Sequence, residues 1–190
     1  MTASVLKVLV ILLVFTVSGI CAAQEEPADA SETAALPVGY GSDIKLGMTF
    51  AETQTVLVEN PAYGYKGEAD VSLIESPNRT LIETAGLRDS VFERCWFHFY
   101  EDKLYIITLA LNPAKADHYS IFTTLRGKYG DPKSLSPEKT VWENETVLMS
   151  LERPLTLRYV DAPVFQQLLN AAAVEKSGAE YLRDRFLEGL

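Results

Sequence analysis

Apolar residues recur at helical spacing in the first part of the chain, between two clear boundary signals. Thr49-Phe50-Ala51-Glu52 fits a capping box, in which the threonine side chain caps the helix and the glutamate side chain reaches back to it. Pro61 disfavours a helical conformation at the residue before it, so the helix is expected to end there. The pattern therefore predicts a first helix between Thr49 and Pro61.

A second helix is predicted between Pro113 and Gly130. Asn112 is a suitable cap, Pro113 favours the first helical position, and Gly130 stops the helix. The larger side chains within this segment share one face at a spacing of three or four residues, which indicates packing against a core. These side chains are His118, Ile121, Phe122, Leu125 and Tyr129.

Strands are predicted on both sides of the second helix, because β-branched and aromatic residues cluster there between turn signals. Glu101-Asp102-Lys103 is a compact polar turn that predicts a β-hairpin. A third helix is expected after Asp161, with a break at Ser177-Gly178. The predicted strands lie at residues 71–75, 80–84, 91–100, 104–111, 140–143, 146–151 and 155–160.

The hairpin of residues 91–111 is apolar on both faces. Cys95 and Phe97 lie on one face of its first strand, and Trp96 and Tyr100 lie on the other. A sheet with one solvated face would alternate between apolar and polar residues, so the second face is expected to be covered. The element order predicts an α+β fold, with helices on one face of an antiparallel sheet and the C-terminal helix as cover for the other.

The N-terminus has the pattern of a secretory signal. Lys7 precedes an apolar run from Val8 to Phe15, and small residues follow up to Ala23. The run is shorter than the roughly 20 apolar residues that cross a bilayer, which favours cleavage over a retained anchor. Residues 1–23 are therefore predicted to be a signal peptide, and the mature chain is expected to start at Gln24 in the periplasm or outside the cell.

An alternative processing route keeps Cys21 and attaches a lipid to it. Residues 17–21 resemble a bacterial lipobox, although Ile20 stands where a small residue is expected. Residues 24–41 have almost no large apolar side chain before Leu36, so they are predicted to form a flexible leader, which would serve as a tether in this route. The folded domain is then predicted to span residues 42–190.

Charge and cysteine content exclude several classes of protein. The chain has a formal net charge of −9, and removal of Lys7 with the signal would make it more negative. An acidic surface repels phosphate backbones and anionic lipid headgroups, so nucleic acid is not expected as a partner. Cys95 would be the only cysteine left after cleavage at Ala23, and it is interpreted as a small buried side chain without a disulfide partner.

No catalytic or metal-binding pattern stands out in the sequence. His98 and His118 lack the spacing of metal ligands, and Cys95 and His98 would lie on opposite faces of one strand. Glu143 and Glu145 flank a predicted turn, where solvated acids are usual. We therefore expect no enzymatic activity, no metal and no cofactor.

The best candidate for a functional surface is a mixed aromatic and cationic row on the first strand of the hairpin. Such rows are suited to recognition of a protein partner. In the simpler interpretation, Trp96 and Tyr100 pack beneath the C-terminal helix. The row consists of Arg94, Trp96, His98 and Tyr100.

Two parts of the chain resemble known bacterial proteins. Residues 44–49, Ile-Lys-Leu-Gly-Met-Thr, followed by a helix and Asn60-Pro61, resemble the opening of the SmpA/OmlA (BamE-type) envelope lipoproteins of the outer-membrane assembly machinery. Residues 103–107, residues 128–132 and Trp142 resemble exported bacterial proteins of related build. The resemblance implies helices on one face of an antiparallel sheet, a fold also seen in β-lactamase-inhibitor proteins.

Together these features predict an exported, non-enzymatic envelope protein that binds another envelope protein or assists its assembly. The alternative is a soluble periplasmic module that binds a small molecule or inhibits an enzyme. That alternative predicts a concave apolar pocket or an exposed loop at the edge of the sheet. In either case the mature chain is expected to have no transmembrane span.

Overall fold

The computed structural model describes residues 35–73 and 78–188, and it confirms the α+β fold class. The α-helices within these ranges are α1 (Phe50–Glu59), α2 (His118–Tyr129) and α3 (Ala162–Glu188), and two short 3-10 helices lie at Pro61–Tyr63 and Gly67–Asp70. The strands are β1 (Gly39–Tyr40), β2 (Ile44–Lys45), β3 (Val71–Leu73), β4 (Arg79–Ala85), β5 (Phe92–Tyr100), β6 (Lys103–Leu111), β7 (Ser134–Leu135), β8 (Lys139–Glu143), β9 (Val147–Glu152) and β10 (Thr156–Asp161).

Eight of these strands form one antiparallel sheet in the order β3-β4-β5-β6-β10-β9-β8-β7. Each half of the sheet is a four-stranded meander that a helix precedes in the chain. α1 precedes β3 to β6, and α2 precedes β7 to β10. The meanders meet through their last strands, where Tyr159 pairs with Ile107. The two halves therefore repeat one arrangement, although no repeat is visible in the sequence.

α1 begins and ends where its boundary signals predict. The Thr49 hydroxyl accepts a hydrogen bond from the Glu52 amide at 3.2 Å, and the Glu52 carboxylate accepts one from the Thr49 amide at 2.7 Å. The Phe50 amide donates to the Asp102 carboxylate at 3.2 Å, which ties the start of the helix to the β5–β6 turn. Leu57 is buried, so α1 packs firmly on the first half of the sheet.

α2 begins later than the sequence pattern predicts. Asn112 makes a local turn, in which its side-chain oxygen accepts a hydrogen bond from the Ala114 amide at 2.9 Å. The cap is instead Asp117, which accepts a 2.9 Å hydrogen bond from the Ser120 amide. The helix ends at Gly130 as predicted, and the Trp142 indole donates to the Gly130 carbonyl at 2.9 Å.

The N-terminal boundary of the fold also differs from the prediction. Gly39–Tyr40 pair with Ile44–Lys45 in a two-stranded ribbon, and the Leu46 amide donates to the Val38 carbonyl at 2.8 Å. Residues 39–41 therefore belong to the fold, where the sequence predicted a flexible leader. The predicted signal peptide of residues 1–23 and the rest of the predicted leader up to residue 34 lie outside the described residues.

α3 is continuous, without the break expected at Ser177-Gly178. Its start is capped by Asp161, whose carboxylate accepts a 3.0 Å hydrogen bond from the Val164 amide. The helix follows β10 directly, so no loop turns it back over the sheet. Its described side chains from Leu169 onward are exposed, and the expected cover for the second face is therefore wrong. No helix in the described ranges is both long and apolar enough to cross a membrane.

The core lies between one face of the sheet and a layer made by α1, α2 and the N-terminal ribbon. Phe97, Ile107 and Met149 from three sheet strands are fully buried there. α1 contributes Phe50, whose ring meets Phe99 edge-on at 5.2 Å. We call this the covered face, and we call the opposite face of the eight-stranded sheet the open face.

Candidate functional site

β5 places all four candidate residues on the open face. The strand alternates, so that Cys95, Phe97 and Phe99 are buried on the covered face. On the other side the strand carries an exposed arginine and three half-buried rings. The described side chains of α3 beyond Leu168 are exposed, so the C-terminal helix does not pack over this row. The row is Arg94, Trp96, His98 and Tyr100.

Arg94 is held over Trp96 by its neighbour on β4. Its guanidinium lies 3.2 Å from the Glu83 carboxylate and 5.9 Å from the centroid of the Trp96 ring. Both charged side chains are largely solvated, at 56% and 41% exposure, so the ion pair contributes at most about 1 kcal/mol to stability. The arrangement therefore orients the arginine and the indole more than it stabilises the fold.

A β-bulge brings a further aromatic residue to the open face. His98 pairs with Ile106 while Phe99 pairs with Leu104, which leaves Tyr105 as the extra residue on β6. The Tyr105 ring lies 6.4 Å from the rings of both His98 and Tyr100, with edge-on geometry. These three residues form what we call the aromatic cluster.

Two arginines set the charge around the aromatic cluster. Burial lowers the pKa of His98, and the positive charges of Arg158 on β10 and Arg79 on β4 lower it further. The imidazole is therefore neutral at neutral pH. The buried Nε of Arg158 has no hydrogen-bond partner within the described ranges. Arg79 makes no ion pair with another residue that the structure describes.

A second charged group lies on the open face, around Glu152 on β9. Its carboxylate is 2.9 Å from the Lys139 ammonium and 3.6 Å from the Arg158 guanidinium, and it accepts a 2.9 Å hydrogen bond from Ser150. Partial burial alone would raise the pKa of Glu152. The hydrogen bonds and the two cations outweigh burial and hold that pKa below its usual value.

Sequence reasoning missed most of the surroundings of the row. The missed residues come from other strands, whose pairing with β5 and β6 cannot be deduced from one sequence. The bulge that turns Tyr105 outward is equally hidden, because it interrupts a regular apolar run. The sequence offers one signal for these neighbours. Thr156, Arg158 and Val160 share one face of a predicted strand, so Arg158 places a charge on that face. The missed residues are Arg79, Glu83, Tyr105, Glu152 and Arg158.

The other candidate groups do not join this site. Cys95 is fully buried, and burial raises the pKa of its thiol to about 12, so a reactive thiolate is disfavoured. It lies on the covered face, opposite His98, as the strand alternation predicts. Glu143 pairs with Lys133 at 3.2 Å on a separate part of the sheet. Cys21, the alternative lipidation site, lies outside the described residues.

Residues that could hold a metal ion do not converge in the part of the chain that the structure describes. No group of three or more His, Cys, Asp and Glu side chains comes together there. The open face is instead a surface of aromatic rings and guanidinium groups. Such a surface is chemically suited to contact with another molecule, through stacking, hydrogen bonding and charge.

The chain matches a known protein family. A family model described as the TP0088 domain matches residues 39–171, which cover all ten strands together with α1 and α2. No curated protein and no solved structure matched the chain. This match does not link the chain to the SmpA/OmlA proteins, so that resemblance stays a prediction.

Proposed function

The chain belongs to the TP0088 domain family, and we propose that it is an exported, non-enzymatic envelope protein that binds another protein through the open face. One observation carries the proposal. Among the described residues, no helix covers one face of the eight-stranded sheet, and that face carries Trp96, the aromatic cluster and three arginines.

The composition of the open face supports a protein partner. Tryptophan, tyrosine and arginine are the residue types that most often dominate the energy of protein interfaces. Apolar side chains lie among them, since Leu81, Ile106 and Leu148 are half-buried on the same face. A sheet face that only meets water is usually more polar than this.

The charges of the open face favour a partner with carboxylates at the contact. Arg79 and Arg158 flank the aromatic cluster, and Arg158 retains a buried Nε without a partner in the described structure. A carboxylate can accept two parallel hydrogen bonds from a guanidinium. We therefore infer that the partner places an acidic side chain beside His98 and Tyr105.

The chemistry of the described residues supports a binding role over catalysis. The thiol of Cys95 is buried and protonated, and the His98 imidazole lies between two cations that oppose its protonation. A histidine in that position is a poor general base. It can still pack against a partner or accept a hydrogen bond from it.

The proposal is tested by site-specific photo-crosslinking in the native host. A photoreactive phenylalanine analogue replaces Tyr100 on the open face or, as a matched control, Tyr119, which is 74% exposed on α2. We expect one protein to be crosslinked in stoichiometric amount from position 100 and not from position 119. Equal crosslinking from both positions, or none from position 100, would refute a binding role for the open face.

Localisation requires a separate measurement, which is the intact mass of the protein from its native host. A mass that begins at Gln24 without an adduct would support a diffusible exported protein. A mass that begins at Cys21 with acyl chains would support a lipoprotein tethered through its leader. A mass that begins at Met1 would refute export by a cleaved signal.

A further inference from the structure

A groove of about 770 Å³ lies on the helix side of the sheet, away from the open face. β6 and β10 form its floor with Leu111, Leu157 and Tyr159, while α2 forms one wall. The N-terminal ribbon around Tyr40 forms the opposite wall. Its volume lies within the range of pockets that hold small organic ligands.

The groove exists because the second half of the sheet is covered less completely than the first. Leu125 is the only buried residue of α2, whereas Ile121 and Tyr129 are half-buried and line the groove. On the other wall, Gly39 allows the ribbon strands to meet closely, since a Cβ there would lie 2.1 Å from the Ile44 carbonyl oxygen. Both walls are thus held in place by the fold itself.

Three tyrosines line the groove, and their hydroxyl groups have no hydrogen-bond partner among the described residues. Tyr159 on the floor is only 4% exposed, and Tyr40 and Tyr129 are half-buried. Burial raises the pKa of Tyr40 and of Tyr159, so both hydroxyls remain protonated donors at neutral pH. Each hydroxyl can therefore donate a hydrogen bond to an acceptor atom of a ligand in the groove.

The rim of the groove adds positive charge. Lys128 lines the groove from α2 and makes no ion pair within the ranges that the structure describes. Lys115 lies at the rim as well, with its ammonium 3.9 Å from the exposed Asp89 carboxylate. Asp117, the acid of the rim, is occupied in capping α2.

We propose that this groove binds a small amphiphile that carries a carboxylate. Its apolar body packs against Leu111, Ile121 and Leu157. Its carboxylate accepts hydrogen bonds from the tyrosine hydroxyls and is attracted by Lys128. The inference goes beyond protein binding, because the groove and the open face lie on opposite sides of the sheet.

Calorimetric titration of the full chain, processed as its host processes it, tests the groove with decanoate below its micelle concentration. Thr124 lines the groove and Thr123 does not, although both are exposed residues of α2. Thr124→Trp should fill the groove and abolish decanoate binding, while Thr123→Trp should leave the affinity unchanged. Circular dichroism and Tm establish that both variants fold.

Two further variants test how the groove recognises the carboxylate of decanoate. Tyr159→Phe removes one donor and should weaken decanoate binding by about fivefold. Lys128→Gln should reduce the preference of the wild-type protein for decanoate over decyltrimethylammonium, a cation of the same chain length. Trp96→Ala, on the open face, should not change decanoate binding.

Three results would overturn the proposal. One is the absence of measurable decanoate binding by the wild-type protein. Another is equal loss, or equal retention, of binding in the Thr124→Trp and Thr123→Trp variants. The third is equal affinity of the wild-type protein for decanoate and for the cation, which would leave an apolar groove without selectivity for a carboxylate.

Discussion

Trp96 and Phe97 are neighbours in one strand, yet they belong to regions of opposite character. Phe97 points to the covered face, where it is fully buried and meets Tyr63 edge-on at 6.0 Å. Trp96 points to the open face, where it is half-buried beneath the Arg94 guanidinium. A single step along β5 therefore crosses from tightly packed core to a surface that no element of the described structure covers.

The difference between the two faces separates stability from recognition. Burial of apolar side chains is the main stabilising contribution to folding, and on the sheet it is concentrated on the covered face. On the open face, Trp96, His98 and Tyr100 are only half-buried and retain contact with water. Substitutions on alternate residues of the same strand should therefore affect different properties of the protein.

The largest effect is expected for Phe97→Ala. Removal of a fully buried aromatic ring leaves a cavity and should lower the free energy of unfolding by about 3–5 kcal/mol. Urea unfolding followed by circular dichroism measures this loss. A loss below about 1 kcal/mol would mean that the covered face tolerates a cavity and that the contrast between the faces is false.

Trp96→Ala should instead weaken partner binding more than it lowers stability. We expect the affinity for the crosslinked partner to fall by at least about 2 kcal/mol, or roughly thirtyfold, while the free energy of unfolding changes much less. Trp142→Ala is the matched control, because Trp142 is 2% exposed on the covered face. That variant should be strongly destabilised, and similar unfolding curves for the two variants would contradict the comparison.

Thr49→Ala tests how much the capping of α1, which packs on the covered face, contributes to stability. Loss of the hydrogen bonds made by the Thr49 hydroxyl should lower the free energy of unfolding by about 1 kcal/mol without changing partner affinity. Thr55→Ala, an exposed site within the same helix, is the control and should have a smaller effect. Weakened partner binding in Thr49→Ala would show that the two faces are coupled.

The smallest effect is expected from pH. The lowered pKa of His98 means that the folded protein binds a proton less readily than the unfolded chain. The contribution of His98 to stability is therefore present above pH 6.5, the usual histidine pKa, and is lost as the pH falls through the lowered value. His98→Gln should show a shallower loss of stability between pH 7 and pH 5 than the wild-type protein, by urea unfolding. Parallel pH profiles for the two proteins would contradict this assignment.

The local signals in the sequence predicted the covered face better than the open face. The capping box of α1, the β5–β6 hairpin and the stop at Gly130 all depend on neighbouring residues, so they can be deduced from the chain alone. The row from Arg94 to Tyr100 could be placed on one face for the same reason. α2 was predicted to begin too early because Asn112 satisfies the same local pattern as the true cap, Asp117.

The rest depends on contacts between residues distant in sequence. The seam between β6 and β10 brings Arg158 next to Thr108, and no local signal specifies that pairing. The prediction that α3 covers the second face was wrong for a related reason. The apolar stripe of α3 indicates a helix but not the direction in which that helix leaves β10. The groove between α2 and the ribbon likewise results from tertiary packing rather than from a motif.

The short outer strands of the sheet have a consequence for solubility. Unpaired strand edges are templates for polymerisation, and proteins limit this risk by keeping edge strands short. Here the outermost strands are β3 and β7, of three and two residues, while the long strands β5 and β6 lie inside the sheet. Within the described residues, the edges of this sheet are thus short templates for intermolecular strand addition, which limits polymerisation.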